Sequence, residues 1–379
     1  RSVCPEIKGL PETGEKLKID PKTDLYSWLL FQGKTFQLID SVYTISEKQA
    51  IFKTKKLSSD TSEICLSEEK QSPFLLGSPL LRDTLLQSFQ LSLTRKLVLP
   101  VRIKRWAMYN TGMQTDGGLV QCDFVNQEGK TYDCNVTYTN ETGELVELIE
   151  GYQVQELGDQ SSNPTPEQIA KVNKVFKEKL ENHLQGLDET IQFPAVILHK
   201  EATLLHTLST DERHNLEQEV LLQNADFIRS KGFETDELTL QFLENGKPSL
   251  GKNDVDISIS HTNTWLLMSV GNTPQGCDIE LVQHRDEDIW KEMLGQHLFS
   301  LANTIRNDSE SKDLTFTRLW SASEVAYKLY GKSVEEVSQL SYEAGNAIFE
   351  LSCDGKLVNV LTFPLEVFPG LNMIFAMSV

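Results

Sequence analysis

The stretch PLLRDTLLQSFQLSL, from Pro79 to Leu93, decides how the first part of this chain is read. Leu81, Leu85 and Phe89 recur every four residues, the spacing of one helix face, and Pro79 stands in the first turn, where a missing N–H costs nothing. The pattern predicts one buried helix. Before it, TFQLIDSVYTI (35–45) and QAIFKTKK (49–56) are rich in Phe, Ile, Val and Tyr and read as strands, followed by an acidic, Ser-rich loop. Beyond it, after Pro100, VRIKRWAMYN and GLVQCDFVNQEGKTYDCNVTYTNETGELVELIEGYQVQEL alternate apolar and polar residues, with NQEGK and NETGE supplying turns. Strands on both sides of a single helix predict an α+β fold in which an antiparallel sheet wraps a central helix.

Working outward, the polar run GDQSSNPTP (158–166) is the expected linker between a first domain, 1–157, and a second, 167–379. Thr165 then caps a helix with Pro166 at its first position and Gln168 three residues after the cap, and Ile169, Val172, Phe176, Leu180 and Leu184 form its apolar stripe. Ser209 and Glu212 form a second capping box, opening a helix with Leu216, Val220, Ala225 and Ile228 inward.

Composition bounds what such a chain can do. It has 55 acidic and 36 basic side chains in 379 residues, so 36 − 55 = −19, a charge that disfavours nonspecific binding to nucleic acid or anionic membrane. An apolar share of 39% with 13 Pro and 22 Gly can fill cores and sets disorder aside. No apolar run approaches the roughly 20 residues that span a bilayer. Six cysteines without C-x-x-C spacing fit reduced thiols in a cytoplasmic protein better than zinc ligands or a disulfide framework. The chain opens at Arg1 with no initiator Met and no targeting segment, as a fragment of something longer would.

Four segments of the last third combine into a site. ENGKPSL (244–250) reads as a turn, SISHTNTW (258–265) leaves a strand, GCDIE (276–280) is a strand and LWSASEVAYK (319–328) a helix. Asp278 and Glu280, two apart on a strand, aim to one face, and Trp320, Glu324 and Lys328 share a helix face. Three carboxylates are hard oxygen ligands suited to Mg²⁺, which shares its shell with substrate phosphates, and Lys328 adds a cation for those phosphates. Each piece alone reads as something plainer: a solvated acidic pair, a hydrogen-bonded strand-end histidine at His261, an ordinary turn at Lys247-Pro248. Their joint order and spacing raise them above that.

Together these residues resemble the 4′-phosphopantetheinyl transferases of the surfactin-synthetase-associating type, through G-K-P at 246–248, I-S-H at 259–261, G-x-D-I-E at 276–280 and W-x-x-x-E-x-x-x-K at 320–328. The resemblance covers about Gly186 to Val379. It implies transfer of phosphopantetheine from coenzyme A to a serine of an acyl carrier protein domain. By the same resemblance Asp278, Glu280 and Glu324 hold Mg²⁺, Lys247, Pro248, Ser260 and His261 contact coenzyme A, and Lys328 contacts its pyrophosphate. Glu324 is the candidate to take the serine proton. Two departures stand out: Ser323 replaces the basic residue expected before Glu324, and DERHNLEQEVLLQ (211–223) offers only Arg213 and His214 among acids where the family holds the 3′-phosphate.

The first part has its own resemblance. LLFQGKTFQLI (29–39) and SPLLRDTLLQS (78–88) look like the second hot-dog half of a polyketide synthase dehydratase, whose helix carries an aspartate followed four residues later by Gln or His, here Asp83 and Gln87. The coverage is about Asp24 to Leu157, and H-x-x-x-G-x-x-x-x-P, which belongs to the first half, is absent. A dehydratase followed by a phosphopantetheinyl transferase resembles the tail of iterative, enediyne-type polyketide synthases. The implied function is a Mg²⁺-dependent transferase joined to an incomplete dehydratase half. The rival is a degenerate transferase serving as a carrier-protein docking module.

Overall fold

The structure, a computed structural model, describes residues 14–56, 78–109, 117–187, 193–233, 238–251, 254–305, 310–343 and 345–379. Cys4, Cys65 and the acidic loop after Lys56 lie outside them. Two compact units, Arg1–Val172 and Asn173–Val379, divide just past the stretch read as the linker.

The first unit runs α1 (Pro21–Asp24), β1 (Ile39–Ile45), β2 (Gln49–Thr54), α2 (Pro79–Gln87), β3 (Lys96–Met108), β4 (Gly118–Glu128), β5 (Thr131–Asn140), β6 (Leu145–Asp159) and α3 (Pro166–Ala170). Its six strands form one antiparallel sheet in the order β1-β2-β4-β5-β6-β3. Helix α2 starts where its sequence says, with the Ser78 hydroxyl accepting from the Leu81 N–H, and closes in a 3₁₀ turn over Ser88–Leu91. Leu81, Leu85 and Phe89 are buried, each side chain contributing about 2 kcal/mol of apolar burial. Phe89 meets the Tyr152 ring at 6.2 Å, and the Tyr152 hydroxyl donates to the Leu86 carbonyl, so the helix lies on the β6 side of the sheet.

Two boundaries differ from the sequence reading. The first strand begins at Ile39, because Lys34–Phe36 closes a 3₁₀ turn. Strand β3 starts at Lys96 and runs through Pro100, which an edge strand tolerates because an outward-facing position needs no N–H.

In the second unit come α4 (Val172–Gln185), β7 (Ala195–Lys200), α5 (Thr210–Gln223), α6 (Ala225–Ser230), the two-residue ribbons β8 (Gln241–Phe242) and β9 (Pro248–Ser249), then β10 (Asp256–Thr262), β11 (Trp265–Gly271), β12 (Cys277–Leu281), α7 (Glu287–Ile305), α8 (Lys312–Tyr330), β13 (Glu336–Glu343), β14 (Asn346–Cys353), β15 (Lys356–Phe368) and β16 (Leu371–Ser378). One sheet is ordered β10-β11-β7 and the other β12-β16-β15-β14-β13. Val220, Leu221 and Ile228 cover the first with Ile197, Ile257, Leu266 and Met268, while Trp290, Phe316, Leu319 and Val325 cover the second with Phe349, Leu351 and Val360. The sheets adjoin along β10 and β12.

The helix expected to run on from Thr165 is two helices, α3 and α4, parted at Lys171 (φ −112°, ψ 27°). The stripe serves two cores: Ile169 is fully buried in the first unit, whereas Phe176 packs on Trp265 at 5.0 Å and Phe375 at 6.1 Å in the second. Likewise the second capping box, formed as read, opens a helix that breaks at Asn224 before α6.

Candidate functional site

Alternation along β10 decides which side chains meet. Ile257 and Ile259 face the core under α5, and His261 follows them on that side. Ser258 and Ser260 therefore point the other way, toward β12. There the Ser258 hydroxyl accepts from the Cys277 N–H at 3.0 Å, and the Ser260 hydroxyl donates to Asp278 Oδ1 at 2.7 Å. These side-chain bonds join two strands that belong to different sheets. Burial pushes the Cys277 thiol up to about 11, so it stays a neutral filler.

Helix α8 reaches the same seam because Gly276 lets it. A Cβ at Gly276 would sit 2.8 Å from the Val325 carbonyl oxygen and 2.9 Å from Val325 Cγ1, so only glycine allows this approach. Lys328 Nζ then donates to the Cys277 carbonyl at 2.8 Å and to Asp278 Oδ1 at 3.0 Å. Burial works against its ammonium, yet the charge and hydrogen bond of Asp278, with Cys277 and Glu324, together outweigh it and hold the lysine above its ordinary value. Gly331, left-handed at φ 66°, ends the helix one turn later.

Glu280 and Glu324 flank this pair. Glu280 Oε1 lies 2.8 Å from Arg285 Nη2, and that guanidinium stacks on the buried Trp290 ring at 4.8 Å. Burial raises the Glu280 carboxyl, Arg285 opposes the rise, and Asp278 and Glu324 add to it. Glu324 is raised by burial and then by Asp278, with Lys328 pulling the other way. Glu280 thus feels the charges of Asp278 and Glu324, and Glu324 that of Asp278, in a half-desolvated seam.

That donor set of hard oxygens fits Mg²⁺. Among the described residues, however, no three Asp, Glu, His or Cys side chains close round a single point. Asp278 is engaged by Ser260 and Lys328, and Glu280 by Arg285, so gathering the three carboxylates on one ion requires those side chains to rearrange.

The other expected contacts are dispersed. His261 Nε2 lies 2.7 Å from Oε1 of Glu217, a buried residue of α5. Lys247 Nζ binds Asp256 Oδ2 at 3.2 Å, an oxygen that also accepts from the Gln275 N–H, and Pro248 sits in the β8–β9 ribbon. The Ser323 hydroxyl donates back to the Leu319 carbonyl within α8. Glu217 and Arg285 were missed by sequence reasoning: Glu217 is one of several acids on its helix, and Arg285 follows Glu280 through a loop that carries no motif.

In the first unit Asp83 borders a cavity of about 120 Å³ with Phe31, Gln87, Leu99 and Tyr152. Gln87 Nε2 donates to Asp83 Oδ2 at 2.6 Å, and the Tyr26 hydroxyl donates to Gln87 Oε1 at 3.0 Å. Tyr26 had no signal in the sequence. Burial and then the charge of Asp83, against a bond from the Ile39 N–H, hold the Tyr26 phenol above its ordinary value.

Known proteins share similarity with parts of this chain. The family described as the polyketide synthase dehydratase N-terminal domain matches residues 10–164. The 4′-phosphopantetheinyl transferase Sfp of Bacillus subtilis (strain 168) is 25% identical over 170 residues, 43% of this chain and 73% of that protein. Among solved structures, the dehydratase domain of RzxB from Pseudomonas fluorescens has 17% identity and a TM-score of 0.27, covering 32% of this chain and 42% of that one. The dehydratase domain from the CurF module of curacin polyketide synthase has 17% identity and a TM-score of 0.30, covering 39% and 50%. The chain spans about half the length of these dehydratase structures. One stretch of the chain thus matches the family model of the polyketide synthase dehydratase N-terminal domain, and 170 residues are similar to a phosphopantetheinyl transferase. The matched family carries an N-terminal designation, so assignment of this segment to the second hot-dog half does not rest on it.

Proposed function

We propose that the second unit transfers the 4′-phosphopantetheine group from coenzyme A to a serine of an acyl carrier protein domain of a polyketide synthase, and that the first unit is an incomplete dehydratase half. The observation that carries this reading is the seam where Asp278, held by Ser260 and Lys328, lies beside Glu280 and Glu324. The similarity to Sfp supports it.

In this reading Asp278, Glu280 and Glu324 hold Mg²⁺, which when bound supplies charge neutralisation to the pyrophosphate oxygens. Lys328, raised and firmly charged, turns from Asp278 toward those oxygens. The carrier serine hydroxyl attacks the β-phosphorus, the bond to the bridging oxygen breaks, and adenosine 3′,5′-bisphosphate leaves with the electron pair. Glu324 takes the serine proton, a role its raised pKa suits.

The test is apo carrier protein incubated with the chain, coenzyme A and Mg²⁺, read by intact mass. The expected result is a gain of one phosphopantetheine, lost with EDTA. A carrier that binds without gaining mass overturns transfer in favour of a non-catalytic docking module.

A further inference from the structure

The carboxylate of Glu280 is aimed from outside its own strand. Oε1 accepts from Arg285 Nη2 at 2.8 Å, while Oε2 makes no hydrogen bond to the described residues and stays open to solvent. Arg285 belongs to the loop after β12, yet its side chain is only 17% exposed and lies over the fully buried Trp290 ring at 4.8 Å. Its Nη1 is buried with no partner. A surface ion pair would leave that N–H in water. Here the fold accepts the cost of an unpaired donor and keeps the guanidinium against Glu280.

The support for this contact traces back to one residue of α8. Asp313 Oδ1 accepts from Trp290 Nε1 at 2.9 Å and from the Arg285 backbone N–H at 3.3 Å, and Oδ2 meets His284 Nδ1 at 3.0 Å. Asp313 stands eleven residues before Glu324, about three helical turns, and so on the same face as Glu324 and Lys328. One helix therefore carries Glu324 directly, grips Asp278 through Lys328, and fixes Glu280 through Asp313, Trp290 and Arg285.

We infer that Arg285 is a positioning residue for the metal site, holding Glu280 by one oxygen and leaving the other free for the ion shared with Asp278 and Glu324. This rests on the metal-dependent transferase reading given above. Without the guanidinium, Glu280 would stand beside two like charges and swing toward water. An outer partner that orients a ligating carboxylate is worth about 10–100-fold in metal affinity.

The experiment titrates Mn²⁺, which takes the same hard oxygen ligands as Mg²⁺, into the full chain without coenzyme A or carrier, following the free aquo ion by electron paramagnetic resonance. Arg285→Gln should bind Mn²⁺ about 10–100-fold more weakly than wild type, and Asp278→Asn should lose binding. Arg285→Lys keeps the charge but not the planar fork, and should recover only part of the loss. Melting in EDTA reports the fold of each variant, and if Arg285→Gln is unfolded, Arg285→Lys carries the comparison. Wild-type affinity in a folded Arg285→Gln protein, with binding lost in Asp278→Asn, overturns the inference and leaves the metal reading intact. Tighter binding by Arg285→Gln overturns it too, since Arg285 would then compete with the ion. Mn²⁺ bound equally by wild type and Asp278→Asn, or by neither, removes the metal reading and the inference together. Weakened binding in both variants, with no carrier modified by the wild type, supports the positioning role and removes transfer.

Discussion

The two units place their acids in opposite situations. In the first, Asp83 borders a small cavity with Gln87, which accepts from the Tyr26 hydroxyl, and all seven histidines of the chain lie at His183 or beyond, in the other unit. In the second, the charge of Asp278 raises the carboxyls of Glu280 and Glu324, with Lys328, Arg285 and Ser260 bonded to this cluster. A single acid can be positioned by its own helix, as the four-residue step from Asp83 to Gln87 does. A cluster of like charges needs cations drawn from other elements. The difference teaches that a lone acid and a cluster of acids make different demands on their surroundings, and that charge balance separates the two.

The largest expected effect falls on the seam of the second unit. Asp278→Asn removes the charge that holds Lys328 and accepts from Ser260, so transfer should drop by at least about 100-fold. Stability should fall by about 2 kcal/mol, because a half-buried ammonium loses its counter-charge. Mass spectrometry of the carrier and thermal melting check both. Full turnover in Asp278→Asn would mean that the cluster is structural only.

Next comes the approach of α8 to β12. Gly276→Ala puts a methyl 2.8 Å from the Val325 carbonyl, so the helix must retreat or the strand must shift. The expected cost is about 1–3 kcal/mol by denaturant melt, with a larger fractional loss of transfer than of stability because Lys328 moves with the helix. An unchanged melting temperature would show that the contact is looser than drawn.

A smaller effect separates charge from shape. The Glu324 carboxyl is raised, chiefly by burial and then by Asp278, so its protonated form is favoured on folding. Its contribution to stability is full below the ordinary carboxylate value of about 4.3 and is lost as pH rises through the raised value. Glu324→Gln cannot ionise, so it should melt a few degrees above wild type at neutral pH and converge with it in acid, while losing transfer. A variant that melts lower at neutral pH would show that Glu324 makes a favourable ionic contact instead.

Much of this was legible in the sequence where a signal repeats along one element. Leu81, Leu85 and Phe89 announce α2, the two capping boxes form as written, and the spacing of Glu324 and Lys328 carries both to one seam. What stayed hidden depends on partners far apart in the chain. Glu217 meets His261 across 44 residues, and Tyr26 meets Gln87 across 61. Arg318 is buried among apolar side chains, held by Glu310 at 2.6 Å and by the Thr362 carbonyl at 2.9 Å. No local pattern marks an arginine for burial, because its partners arrive from another loop and another strand. Helix breaks at Lys171 and Asn224 escaped for a related reason: an apolar stripe continues through each, and only the three-dimensional cores show that it has changed allegiance.

The smallest expected effect is none at all, and it sharpens the contrast between the units most directly. Eliminating water from a β-hydroxyacyl thioester needs a base for the proton beside the carbonyl and an acid for the departing hydroxyl. In the proposed reading Asp83, bonded by Gln87 Nε2 at 2.6 Å, is the acid. Tyr26, its second neighbour through Gln87, has its phenol pushed further toward the protonated form, so it offers no base near neutral pH. The first unit contains no histidine to fill that role. A β-hydroxyacyl thioester incubated with this chain should therefore stay unchanged by mass and by ultraviolet absorbance, and Asp83→Asn should behave like wild type. Adding a separate hot-dog segment that carries a histidine should produce enoyl thioester, and that product should vanish with Asp83→Asn. Enoyl product from the present chain alone, lost on Asp83→Asn, would mean that a base other than histidine acts beside Asp83, and the first unit would count as a complete site.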